Sequence, residues 1–185
     1  MSYIRFITLL ALLTIVGCVS RFMPVVQGNV EVSGEFAILV ADSTMVAARI
    51  DLWNGEPQYL TEDFSLIYVR MQNRSRESMR IYPTDFVMID ENSIQFDIVP
   101  NDIVIEIALS HPSLVPDRYY IFPDTQRENI ARINTIRRNI MTRAFAFGDI
   151  HPGAIKEGIL FFPKLDNKNQ KFVLLYKNNE FLFKK

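Results

Sequence analysis

The chain has 185 residues, 20 basic against 21 acidic side chains, a net charge of −1, 49% hydrophobic residues and a single cysteine. A near-neutral balance argues against nucleic acid as a partner, because phosphate binding needs a basic surface that releases counterions. One cysteine leaves no internal disulfide, and the length suits one domain able to bury about 70% of its unfolded surface.

The first element is the stretch MSYIRFITLLALLTIVGCVS. Its uncharged core, Phe6 to Gly17, would span roughly 18 Å as a helix, short of a hydrocarbon layer of about 30 Å. Arg5, an apolar run and small residues at its end form the pattern of an export signal. Ile15-Val16-Gly17-Cys18 resembles the lipobox of bacterial lipoproteins, in which the cysteine is lipidated and signal peptidase II cuts before it. The resemblance implies a cleaved leader over residues 1–17, lipid attachment at Cys18 and a membrane partner reached through that lipid. Two or three acyl chains anchor stably where one does not. An uncleaved anchor helix, or an ordinary signal with a chance cysteine, is the alternative. An Asp after the lipidated cysteine marks inner-membrane retention in such proteins. Val19 stands there instead, so the resemblance implies the outer membrane, facing the periplasm.

Residues 18–29 are expected to be a short tether, with Pro24 and Gly28 as breakers, and residues 30–185 a single domain. Strand-like runs follow at Val30–Ser33, Phe36–Val40, Val46–Trp53 and Phe64–Gln72, then at Met79–Tyr82, Asp85–Ile89, Ile94–Val99 and Asp102–Ala108. They return at Gly158–Phe162, Lys171–Tyr176 and Glu180–Phe183. Phe64–Gln72 alternates, with Ile67, Val69 and Met71 on one face and Tyr68, Arg70 and Gln72 on the other. Many short strands with frequent turns mean a mainly β protein built as a sandwich or barrel. The 14 phenylalanines and 7 tyrosines supply bulky core.

One segment breaks the pattern. Residues 124–145 (DTQRENIARINTIRRNIMTRAF) hold no Gly or Pro, and Asp124 or Thr125 offers an N-cap with Glu128 as capping-box partner. Ile130, Ile133, Ile136, Ile140, Met141 and Ala144 fall on one helical face, flanked by Arg127, Arg132, Arg138 and Arg143, with Arg137 inside the arc. One reading packs this helix across an end of the sandwich, its arginines snorkelling and Arg137 paired with a carboxylate. The other has the arginine rim face an acidic partner or anionic headgroups.

The run LIYVRMQNRSRESMRIYPTDFVMIDENSIQF, from Leu66 to Phe96, resembles the immunoglobulin-like domains of the DUF4352 type found in bacterial lipoproteins. In these, an Asn (here Asn73) follows a central strand and an Asp-Phe pair (Asp85-Phe86) opens the next. Ile150-His151-Pro152-Gly153 before Gly158–Phe162 fits the same pattern, although the usual turn glycine is missing from Asp90-Glu91-Asn92-Ser93. The resemblance implies an immunoglobulin-like β-sandwich with one inserted helix, serving interactions and carrying no catalytic residues.

Chemical motifs are sparse. His111 and His151 each precede a proline and have no metal-ligand spacing. No nucleophile elbow or phosphate loop occurs. Asp85, Asp90, Glu91, Asp97 and Asp102 read as turn residues rather than a calcium site, so no metal or cofactor is expected. Residues 110–123 (SHPSLVPDRYYIFP) form either a covering loop or a recognition patch through Tyr119, Tyr120 and Phe122. The expected function is a non-enzymatic, membrane-anchored module that binds or assembles an envelope protein. A ligand-, lipid- or peptidoglycan-binding module is the alternative, and an enzyme using His111 or His151 the third.

Overall fold

The computed structural model of the chain describes residues 21–41, 43–111 and 123–185. It is mainly β, with two five-stranded antiparallel sheets stacked as a sandwich and helices laid over one of them. The first sheet contains β1 (Met23–Val25), β7 (Phe86–Asp90), β8 (Gln95–Asp97), β11 (Lys171–Tyr176) and β12 (Asn179–Lys184). Their order is β1-β12-β11-β7-β8. The second holds β2 (Val30–Ser33), β3 (Phe36–Val40), β4 (Thr44–Ile50), β5 (Phe64–Asn73) and β10 (Ile155–Pro163), in the order β10-β5-β4-β3-β2. A separate ribbon pairs β6 (Met79–Ile81) with β9 (Gly148–Ile150). The helices are α1 (Leu60–Asp63), α2 (Asn101–Ser110) and α3 (Pro123–Arg143).

The alternation of β5 sets the layers. Ile67, Val69 and Met71 are fully buried between the sheets, with Phe86, Phe162, Phe172, Phe181 and Phe183 in the same core. Phe64 and Leu66 face the other way and join Ile159 and Phe161 of β10 in a second core beneath α2 and α3. Thus β5 and β10, paired from Ile155↔Gln72 to Pro163↔Phe64, are covered on both faces where the helices lie. Each fully buried Phe or Leu contributes about 1.5–3 kcal/mol, which is how the body holds without a disulfide.

The helix expected over 124–145 is α3. It does not lie across an end of the sandwich but shares the outer face of the second sheet with α2, through Ile136, Ile140 and Ala144 against Val104 and Ala108. The strand expected over Asp102–Ala108 is α2. Pro100 stands at the N-cap with ψ still extended at 144°, Val104 N–H closes the first turn on its carbonyl at 3.0 Å, and Val104 and Ala108 are buried four apart. The strand expected over Val46–Trp53 ends at Ile50. The stretch expected to be a tether is part of the body from Arg21 onward: Phe22 meets Phe172 edge-on at 5.0 Å, β1 pairs with β12, Met23↔Lys184 to Val25↔Leu182, and Pro24 is tolerated because β1 is an edge strand.

At Gly158 the backbones of the two layers meet. A Cβ there would lie 2.5 Å from Phe145 Cα and 2.6 Å from Phe145 N, and Phe145 N–H donates to Ile159 O at 2.9 Å.

Candidate functional site

After β4 the chain turns out of the sheet through Asp51-Leu52-Trp53-Asn54. Trp53 adopts a left-handed φ of 44°, which for a bulky side chain stores about 1–3 kcal/mol. Three groups hold it: Asp51 Oδ1 accepts from Trp53 N–H at 2.8 Å, the indole Nε1–H donates to Pro57 O at 2.8 Å, and Phe161 meets the ring edge-on at 6.4 Å. Arg143, in the last turn of α3, places its guanidinium 5.0 Å from the Trp53 ring and donates from Nη1 to Asn54 Oδ1 at 2.6 Å. The Arg143 guanidinium lies over Gly55, where even a Cβ would come within 3.3 Å of Cζ.

These residues form one wall of an open cleft of about 490 Å³. The other wall comes from Arg21 ahead of β1, Glu35 in the turn before β3, and residues of β4, β5 and β10. Arg49 pairs with Asp51 at 3.3 Å and lies 4.9 Å from the Tyr68 ring. Arg21 pairs with Glu35 at 2.8 Å. Burial first, then the neighbouring Glu157 carboxylate, raises the Tyr68 pKa above the ordinary tyrosine value. The cleft therefore gathers Arg21, Arg49 and Arg143 against Glu35, Asp51 and Glu157 around two aromatic rings.

Of the residues singled out from the sequence, Arg143 enters this cleft. Arg132 approaches Glu56 at 4.0 Å, while Arg127 and Arg138 are exposed. Arg137, expected to meet a carboxylate, is exposed beside Asp102 and Glu106 in the groove between α2 and α3, and forms no ion pair among the described residues. Cys18, Tyr119, Tyr120 and Phe122 lie outside the described residues. From residue 127 to 134 no side chain of α3 is buried: Ile130 is 53% and Ile133 36% exposed, and Met141 further along is 56% exposed.

His111 stacks on Tyr59 at 3.8 Å, with Nε2 3.9 Å from Glu62. His151 follows β9, its Nδ1 3.1 Å from Ser78 Oγ; the two histidines sit in different layers. Among the described residues no three His, Cys, Asp or Glu side chains gather as metal ligands, and no helix is long and apolar enough to cross a membrane. Of the acidic run, Asp85 accepts from Tyr82 N–H at 2.9 Å, and Asp90 accepts from Asn92 and Ile94 N–H, both at 2.8 Å, whereas Asp97 lies in β8 and Asp102 in the first turn of α2, not in turns. Sequence reading missed Arg49, Asp51, Trp53, Asn54, Tyr68 and Glu157. The one local signal was the turn at Asn54-Gly55-Glu56-Pro57.

No family model matches the chain. No curated protein matches it either. Among solved structures it is similar to a conserved hypothetical protein from Bacillus anthracis, at 10% identity and a TM-score of 0.37, over 90% of this chain and 99% of that one. A functionally unknown protein from Listeria monocytogenes EGD-e is similar at 9% identity and a TM-score of 0.32, over 84% of this chain and 71% of that one.

Proposed function

We propose that the chain is a lipid-anchored protein of a bacterial envelope, held through Cys18 and facing the periplasm from the outer membrane, that docks an acidic envelope protein without catalysing a reaction. The lipobox-like Ile15-Val16-Gly17-Cys18 and the absence of Asp at position 19 support the anchor and its place.

The observation that carries the docking role is the exposed part of α3. Ile130, Ile133 and Met141 are open to solvent, and Ile103 and Ile107 of α2 are 40% and 38% exposed. From residue 127 to 138 the helix carries four arginines and one glutamate. Apolar anchors ringed by arginine suit an acidic protein surface, since burying the isoleucines supplies affinity and the arginines supply steering and bidentate carboxylate contacts.

The test is a photo-crosslinking residue at Ile130 in the native lipoprotein. It should capture one envelope protein that binds the purified chain, with affinity falling as salt rises and lost in the triple variant Arg127→Glu, Arg132→Glu, Arg138→Glu. Binding indifferent to that variant, or to anionic vesicles alone, would refute the reading. Cys18→Ala should release the protein from membranes; retention would count against the anchor.

A further inference from the structure

We infer that the cleft beside Trp53 binds a small molecule or peptide end through a single carboxylate, seated on Arg143 and Asn54. This site is separate from the docking face of α3 and does not depend on it.

The charges of the cleft single out one residue. Arg21 and Arg49 each hold a carboxylate of their own, Glu35 and Asp51. The third arginine, Arg143, has an amide oxygen and an indole face for company and no carboxylate within 4.0 Å among the described residues. It is half-buried, so water satisfies it only in part. A guanidinium carries five N–H donors in a planar fork, and a single bond from Nη1 to Asn54 leaves most of them for an incoming acceptor. Asn54 gives its oxygen to Arg143 and is itself exposed, which leaves its amide N–H donors to an incoming acceptor.

The surroundings select the ligand. Glu35, Asp51 and Glu157 line the same cleft and repel a multiply charged anion, so a monoanionic carboxylate fits better than a phosphate. A cavity of about 490 Å³ falls within the range of small-ligand sites. Trp53 is itself buried, and its ring backs the Arg143 guanidinium. Its left-handed backbone, held from Asp51 and Pro57, keeps that support in place before a ligand arrives, as strained residues at binding sites often do.

Arg143 also sits where a helix favours a cation, at the carbonyl end of α3. A purely structural role would show in stability alone, so the experiment reads binding directly. Trp53 is the only tryptophan in the chain, and its fluorescence therefore reports this cleft. The full chain in mild detergent is titrated with N-acetylalanine, with N-acetylalaninamide, which has the same body without the charge, and with inorganic phosphate. The expected result is a saturable change with N-acetylalanine in the millimolar range, at least about tenfold weaker for the amide and weaker for phosphate. Arg143→Gln should abolish the response, and Asn54→Ala, at an exposed turn position, should weaken it several-fold while leaving the fold intact. No saturable response to N-acetylalanine, a response undiminished in both variants, or phosphate binding more tightly than the carboxylate would overturn the assignment.

Discussion

A methyl group added at Gly158 has nowhere to go. The Cβ of Gly158→Ala would sit 2.5 Å from Phe145 Cα, 2.6 Å from Phe145 N and 2.8 Å from Ala144 C, all backbone atoms that no rotamer change can move. Relief requires the chain after α3 to retreat from β10 by roughly 1 Å, toward ordinary carbon contacts of about 3.5–4 Å. That retreat stretches the Phe145 N–H bond to Ile159 O and loosens Ala144 and Phe145, both buried. Overpacking costs about 1–3 kcal/mol and a compromised buried hydrogen bond about 1 kcal/mol, so the expected loss is about 2–4 kcal/mol. For a domain of this size that lowers Tm by about 5–15 °C. Urea and thermal denaturation followed by circular dichroism measure it. Gly34→Ala is the control: its φ of 59° strains any side chain, but nothing lies within 4 Å, and it should cost only about 1 kcal/mol. If Gly158→Ala proved no more costly than Gly34→Ala, the claim that the helical layer is registered by this backbone contact would be wrong.

Asn73, fully buried at the end of β5, donates to Glu77 O at 2.7 Å and Ile150 O at 2.8 Å and accepts from Ser75 N–H at 2.9 Å. Asn73→Ala should cost about 2–4 kcal/mol in urea denaturation through the groups it orphans, and Asn73→Asp should not rescue it, because a carboxylate cannot donate. The Tyr176 hydroxyl is pushed up to about 12 by burial and then by Asp85. Between the unfolded value near 10 and that folded value the native state keeps a proton the unfolded state has lost, so stability falls as pH rises through this window. Ultraviolet titration should show Tyr176 among the tyrosines that ionise late, and Tyr176→Phe should lessen the alkaline fall of stability with pH; an unchanged limb would show that Tyr176 does not contribute to it.

What the sequence showed and what it hid follow from where each signal sits. The strict alternation of Ile67, Val69 and Met71 made β5 readable, because one of its faces meets only the opposite sheet. The unbroken stretch after Pro123 made α3 readable. The Asp102–Ala108 run fits period two as well as a helix, and burial against Ile136 and Ile140 decides between them; that partner is remote in sequence. Pro24 disguised β1, since a proline argues against a central strand and only the fold shows that β1 is an edge. The cleft was least legible. Its residues arrive from positions 21, 35, 49–54, 68, 143 and 157, and no local spacing joins them. Arg143 was singled out as one of a rim of arginines, and only the turn carrying Trp53 distinguishes it from the others.

The pairing of β1 gives the proposed anchor a mechanical meaning. With Cys18 in a bilayer, tension between membrane and partner enters the body at Arg21 and Phe22, held by Glu35 and Phe172, and passes next to three residue pairs, Met23↔Lys184, Pro24↔Phe183 and Val25↔Leu182, one of which contains a proline that cannot donate. The two large ladders behind them would be spared as long as this short seam peels first. Peeling β1 would release residues 23–29 and add about 23 Å of leash at about 3.3 Å per residue. On the proposed anchor, the edge strand would act as a yield point, setting a short reach at rest and a longer one under load while the rest of both sheets stays paired.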